Sequence, residues 1–153
     1  MKGYILESWY DPADNFIDID GNPIHIPATT HVYKETKYGT FYGEVKVAPE
    51  DEDIANSWDG FRFAEMKCDI QAYQTKARIM KERAKGVTHA LKVILDGNPS
   101  LRFNPIMDKF FRQEIIAWKN YYEAKKQYET IRDSYSGFCD IVTEQRRKFR
   151  NKK

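Results

Sequence analysis

The side chains that could do chemistry in this sequence are few, and their spacing suits none of the common sites. Asp18-Ile19-Asp20-Gly21 has the centre of a calcium loop, but the loop's first ligand position falls on Phe16 and its twelfth, which needs a bidentate Glu, on Pro27. It reads as hairpin-turn chemistry instead. His25 and His31 could share one sheet face with Asp18; the commoner reading of a strand histidine is a surface residue. The two cysteines, Cys68 and Cys139, and the three histidines, His25, His31 and His89, lack the paired spacing of a zinc site. Glu114 interrupts an apolar seam opposite Val87, where a carboxylate reads as a register device or a solvent-reached edge rather than a general base. There is no Gly-rich phosphate loop, no His-Glu-x-x-His and no nucleophile elbow. The expectation is a protein without catalytic residues, cofactor or metal.

The elements around these residues are easier to read. Phe63, Met66, Ile70, Tyr73, Ala77, Met80, Ala84, Val87, Leu91 and Ile94 keep a strict 3-4-3-4 spacing, the mark of a coiled-coil seam. A second seam runs through Met107, Phe110, Ala117, Tyr121, Ala124, Tyr128, Ile131, Tyr135, Phe138, Val142 and Phe149, broken only at Glu114 and Gln145. Between the seams, Gly97 reads as a left-handed helix stop, Pro99 forbids continuation, and Asn104-Pro105 reads as N-cap plus first helical residue. A chain reversing there pairs seam residues whose numbers sum to 201, as in Phe63 with Phe138, Ile70 with Ile131 and Ala84 with Ala117. Small layers then face small and aromatic layers face aromatic, which specifies an antiparallel hairpin within one chain. The paired part alone would span roughly 45–50 Å.

Residues 1–48 alternate differently. Tyr4 to Tyr10, Phe16 to Asp20, Pro23 to Pro27, His31 to Lys37 and Thr40 to Val47 are strand-like, with turns at Gly21-Asn22 and Tyr38-Gly39. They predict a small antiparallel meander of four or five strands, with Gly43 as a bulge, packed on the hairpin because so small a sheet is unstable alone. The organisation is α+β: a sheet module at 1–48, an acidic linker at 49–56, and an antiparallel hairpin at 57–153 with helices about 57–96 and 104–151. At 153 residues and 31% charged residues, the chain suits one small soluble protein. With no signal-peptide stretch after Met1-Lys2-Gly3 and nowhere 18 consecutive apolar residues, it is expected in the cytoplasm and not in a membrane. Cys68 lies outward from the seam and out of register with Cys139, so no disulfide between them is expected.

Charge divides the chain. Residues 1–56 carry 11 acidic and 4 basic side chains, and residues 57–153 carry 12 acidic and 21 basic. The flanks of the seams hold Arg62, Lys67, Lys76, Lys81, Arg83, Lys125 and Arg132 against a single Asp69, with Lys67 and Arg132 facing each other. Two readings stay open: long basic side chains that solvate the hairpin, or a surface for nucleic acid or an acidic protein. The terminal run with Arg146, Arg147 and Arg150 has three: pairing with Glu50-Asp51-Glu52-Asp53, a solvated tail, or a nucleic-acid contact. The sharpest interaction signal is a second apolar stripe, Phe111, Ile115, Trp118 and Tyr122, at spacings of 4, 3 and 4 beside the seam. It is either covered by the sheet folding back, or a homodimer contact forming a four-helix bundle, or the seat of a foreign partner.

In size, in Tyr and Lys richness, and in a small sheet joined to a long helical hairpin, the chain resembles bacteriophage accessory proteins, including anti-CRISPR-like inhibitors of host nucleic-acid enzymes. The resemblance implies a non-enzymatic inhibitor or accessory factor that binds a nucleic-acid-handling host protein in the host cytoplasm. It would use the basic flanks and the stripe around Trp118. Direct nucleic-acid binding and an oligomeric scaffold are the alternatives.

Overall fold

The computed structural model describes residues 1–52 and 57–152. The part of the acidic linker at 53–56, and Lys153 of the basic run, lie outside the described residues. The order is β1 (Gly3–Asp11), β2 (Asp14–Ile17), β3 (Pro23–Ile26), β4 (Thr29–Thr36), β5 (Gly39–Lys46), a 3-10 turn (Pro49–Asp51), α1 (Ser57–Gly97), two 3-10 turns (Pro99–Phe103 and Pro105–Met107) and α2 (Asp108–Asn151). This is the expected α+β arrangement of a strand region followed by two long helices packed on each other. The chain falls into two compact units, Met1–Ala72 with Ile131–Lys153, and Tyr73–Thr130. The boundary cuts both helices.

In the first unit the strands are antiparallel but do not run as one continuous meander. β1 pairs with β4 and β4 with β5, while β2 pairs with β3 in a separate two-stranded hairpin. Asp18 shapes the β2–β3 turn: its Oδ1 accepts from the backbone N–H groups of Asp20 (3.0 Å) and Asn22 (2.7 Å), and Gly21 takes the positive φ of 80° that the turn requires. Gly43 is not a bulge, since it stands in regular register opposite Val32. The irregularity lies in β1 instead, between Ile5 and Glu7.

Gly43 serves the packing of the sheet on α1. A Cβ built there would collide with the Ala64 carbonyl oxygen, and one on Gly60 would collide with Thr30 Oγ1, so strand backbone meets helix backbone at Gly43 and a strand side chain meets helix backbone at Gly60. Val32, Ala64 and Cys68 form the buried centre, flanked by Phe41, Val45 and Phe61. Cys68, outward from the seam as expected, is thus buried beneath the sheet. Its thiol donates toward the Val32 carbonyl at 3.5 Å and the Phe41 carbonyl at 3.4 Å, and burial pushes its pKa up to about 11. Both cysteines are free thiols. Lys34 points into the same interface with its side chain 6% exposed, held by Asp69 Oδ1 at 2.8 Å and Glu65 Oε1 at 3.0 Å. Burial alone would lower its pKa; the Asp69 and Glu65 carboxylates outweigh that and raise it. In the same unit the helices meet in the expected register, with the Phe63 and Phe138 ring centroids 4.5 Å apart.

In the second unit, buried Ala84, Leu91, Met107 and Ala124 line the seam. Gly97 ends α1 without a left-handed conformation: among the described residues only Gly21 and Gly39 have positive φ. The stop comes from Asn98, at φ −150° and ψ 79°, and from Pro99 beyond it. Asn104 Oδ1 accepts from Ile106 N–H at 3.0 Å, as an N-cap should, but it caps a 3-10 turn and the α-helix starts at Asp108. No described helix is long and apolar enough to cross a membrane.

Gly43→Ala should destabilise the protein by about 1–3 kcal/mol, because a methyl group must enter a filled backbone contact. Gly137→Ala, with nothing within 4 Å of the added Cβ, should stabilise it by up to about 1 kcal/mol through helix propensity. Urea unfolding of the two variants against the parent measures both signs.

Candidate functional site

The stripe on α2 belongs to the second unit. Its fixed point is Trp118, whose indole N–H donates to Thr88 Oγ1 at 2.8 Å, tying the ring across to α1. Tyr121 meets that ring edge-on at a centroid distance of 6.0 Å, and Tyr122 lies at 6.2 Å. Phe111 and Trp118 are half-buried, whereas Ile115 and Tyr122 remain 66% and 60% exposed. Ile115, Trp118 and Tyr122 floor a shallow groove bordered by Glu114, Lys119, Glu123 and Lys126. Phe103 and Ile106, in the 3-10 turns, are also exposed, at 90% and 66%. Sequence reading missed those two because it followed helical periodicity, and they sit where none exists.

The basic flank residues go to several places. Arg62 lies over the Phe138 ring at 4.7 Å, and Lys81 over Tyr121 at 5.8 Å. Lys76 donates to Gln127 Oε1 at 2.5 Å. Lys67 does not stand against Arg132: it turns to the sheet and donates to the Glu44 carbonyl at 2.8 Å, while Arg132 Nε lies 3.7 Å from Asp133. Arg83 and Lys125 are exposed. Of the terminal run, Arg146 bonds Asp51 Oδ2 at 3.2 Å, Arg150 reaches the same carboxylate and the Glu50 carbonyl, and Arg147 pairs with Glu144 at 3.0 Å. The linker acid and the helix end thus meet within the first unit.

A cluster that sequence reading did not assemble lies on the outer face of β1–β4–β5. His31 stacks on Trp9 with centroids 4.5 Å apart, and Tyr33 packs on Tyr42 at 4.8 Å. Tyr42 donates its O–H to Glu44 Oε2 at 2.8 Å, its oxygen lies 2.5 Å from His31 Nδ1, and His31 Nε2 lies 2.8 Å from Asp11 Oδ2. A signal existed: the Thr36–Gly39 turn fixes a register in which His31 opposes Glu44 and Tyr33 opposes Tyr42. His25 stands apart from this chain, between Asn15 at 2.6 Å and Glu52 at 2.5 Å. Desolvation, then the Glu44 bond, push the Tyr42 phenol up to about 12, so it stays protonated near neutrality and is no activated nucleophile. The same bond holds Glu44 below the usual carboxylate range.

A cavity of about 220 Å³ in the first unit is lined by Tyr10, Phe63, Tyr135, Cys139, Val142 and Arg146 among others. Burial, and then Cys139, push the Tyr135 phenol up to about 12. Among the described residues no group of three His, Cys, Asp or Glu side chains is placed to hold a metal ion. No protein-family model, curated protein or solved structure matches the chain.

Glu44 has its folded pKa lowered, so its contribution to stability is present above its ordinary value of 4.5 and is lost as pH falls through the folded value. Tyr42→Phe removes the largest cause of that shift. The variant should lose about 1 kcal/mol at neutral pH, and its stability should fall less steeply than the parent's below about pH 4.5. Urea midpoints across that range, with the Glu44 carboxyl followed by NMR, check both.

Proposed function

We propose that this chain is a non-enzymatic interaction protein that docks on another protein through the α2 stripe of its second unit. The observation that carries the reading is a rigid apolar contact left open: Trp118 is pinned by Thr88 while Ile115 and Tyr122 beside it keep most of their surface in water. Aromatic anchors held in one orientation lose little entropy on binding, and they dominate the energetics of protein contacts. The basic flanks support nucleic-acid binding less well, because Arg62, Lys67, Lys76, Lys81, Arg146 and Arg150 already have partners within the chain. The outer sheet cluster supports catalysis poorly, since its phenol is held protonated. In the form favoured by the resemblance to phage accessory proteins, the partner is a nucleic-acid-handling host protein in the cytoplasm, and docking inhibits it.

Light scattering on the pure protein, at low and high salt and with a short duplex DNA, should give a monomer that neither salt nor duplex changes. A photo-crosslinking residue at Tyr122 should then join the chain to a second kind of polypeptide in cells that express it, and the same residue at Arg147 should not. A salt-insensitive dimer abolished by Ile115→Asp would replace docking by self-association. A shift with duplex confined to low salt would move the function to the basic flanks.

A further inference from the structure

We propose that the free edge of β1 takes up an extended peptide of another protein by strand addition, with an arginine of that peptide stacked on Trp9. The site lies in the first unit and is independent of the α2 stripe. The direction of the backbone groups carries it. On β5, the carbonyls of Tyr42 and Glu44 point away from β4, where Gln71 and Lys67 of α1 donate to them at 2.7 and 2.8 Å. Backbone groups alternate in direction along an antiparallel ladder. Tyr33 and His31, opposite Tyr42 and Glu44, therefore turn theirs toward β1, Glu7 and Trp9 return theirs to β4, and Ser8 and Tyr10 direct theirs off the sheet. The helix thus closes the β5 edge. Among the described residues no bond reaches the outward groups of Ser8 and Tyr10, both exposed, and β2 and β3 form a sheet of their own. The bulge between Ile5 and Glu7 limits the regular open stretch to residues 7–11.

The side chains set what the added strand must carry. Trp9 stacks on His31 with centroids 4.5 Å apart and lies 5.9 Å from Tyr33, and both of these partners stand on β4. The stack continues from His31 to Tyr42 at 5.9 Å. It therefore runs across the strands from β5 to β1, and the outer face of the Trp9 ring is its free end. A strand added about 4.8 Å beyond β1 would meet Trp9 in a non-hydrogen-bonded pair, where facing side chains approach most closely. A planar cation suits that position, because a guanidinium stacks on an indole face. Glu7 and Asp11, two residues to either side of Trp9, hold carboxylates on the same sheet face, where Asp11 Oδ2 lies 2.8 Å from His31 Nε2.

The open stretch carries charge of one sign. Between Lys2 and Lys34 the sequence holds five carboxylates, at 7, 11, 14, 18 and 20, and no lysine or arginine. Lys46 and Arg146 share a cavity with Tyr10, but each is matched, by Glu44 at 3.5 Å and by Asp51 at 3.2 Å. The phosphates of a nucleic acid would be repelled here. A second copy fits the edge badly as well. Antiparallel self-pairing of Ser8 with Tyr10 sets Glu7 opposite Asp11 twice. Moving that register one way brings Ser8 to Pro12, which has no N–H to give, and moving it the other way brings Tyr10 to Leu6 in the bulge.

The test uses the full chain and a short fluorescein-labelled peptide of alternating threonine and valine with one arginine at its centre, read by anisotropy and by amide exchange in NMR. In the free protein the Ser8 and Tyr10 amides should exchange quickly and that of Trp9 slowly. The peptide should bind saturably and slow exchange at Ser8 and Tyr10. Ser8→Pro removes an outward N–H and leaves the ladder to β4 intact, so it should cut affinity by about tenfold or more with circular dichroism unchanged. N-methylation of the peptide residues that face Ser8 and Tyr10, which leaves the protein untouched, should do the same, and so should glutamate in place of the arginine. The proposal is overturned if the peptide does not bind, if the glutamate or N-methylated peptide binds equally well, or if Ser8→Pro keeps full affinity. It is overturned too if Ser8 and Tyr10 are already protected in the free protein, whether in a monomer that covers its own edge or in a dimer whose second copy covers it.

Discussion

Between β5 and α1 there is room for a hydrogen atom and not for a methyl group. Gly43 meets the Ala64 carbonyl, Gly60 meets Thr30, and the Cys68 thiol lies across the Val32 and Phe41 carbonyls just beside them. A three-stranded sheet is too small to hold itself together by its own core. It gains stability by lying closely on a helix, where dispersion contacts are dense and water is excluded. This approach dictates which side chains can face inward. The inner face of β4 carries Thr30, Val32, Lys34 and Thr36, small or slender residues that fit under the helix.

Apart from Phe41, which flanks the buried centre, the larger rings of these strands lie on the other side. Trp9, His31, Tyr33 and Tyr42 stack across the strands on the outer face, where they stabilise neighbouring strand pairs and shelter the hydrogen-bonded chain from Asp11 to Glu44. Lys34, a cation sent inward from β4, is matched by Asp69 and Glu65. Removing either partner would leave charge stranded beneath the sheet, so the pair fixes the seating of the sheet as much as it strengthens it.

The helical half was legible because its signal is local and periodic. A 3.5-residue spacing names the faces, and the match of aromatic to aromatic layers gave the register that sets Phe63 on Phe138. The sheet was legible only as strands. Its main pairing, β1 with β4, joins segments separated by an entire hairpin, and alternation does not name the inner face, because a close helix selects threonine and glycine there. For the same reason Gly43 looked like a bulge, and heptad position set Cys68 outward from the seam without showing that the sheet covers it. Heptad position located the cations of the flanks but not their partners: Lys67 reaches a strand carbonyl and Arg62 a ring, choices made by long side chains in three dimensions. The stripe around Trp118 was visible in sequence, while the Thr88 bond that stiffens it was not.

The seating of the sheet on α1 is tested most directly by the two thiols. In the native protein, Cys139 should react with a thiol reagent at a rate set by its partial exposure. Cys68 should react only as fast as the protein unfolds, its rate rising with denaturant in step with global unfolding. That is the result the account predicts, with both thiols reacting alike once unfolded. Native-state labelling of Cys68 as fast as Cys139, insensitive to denaturant, would contradict it, because the sheet could not then be packed on α1 at Gly43.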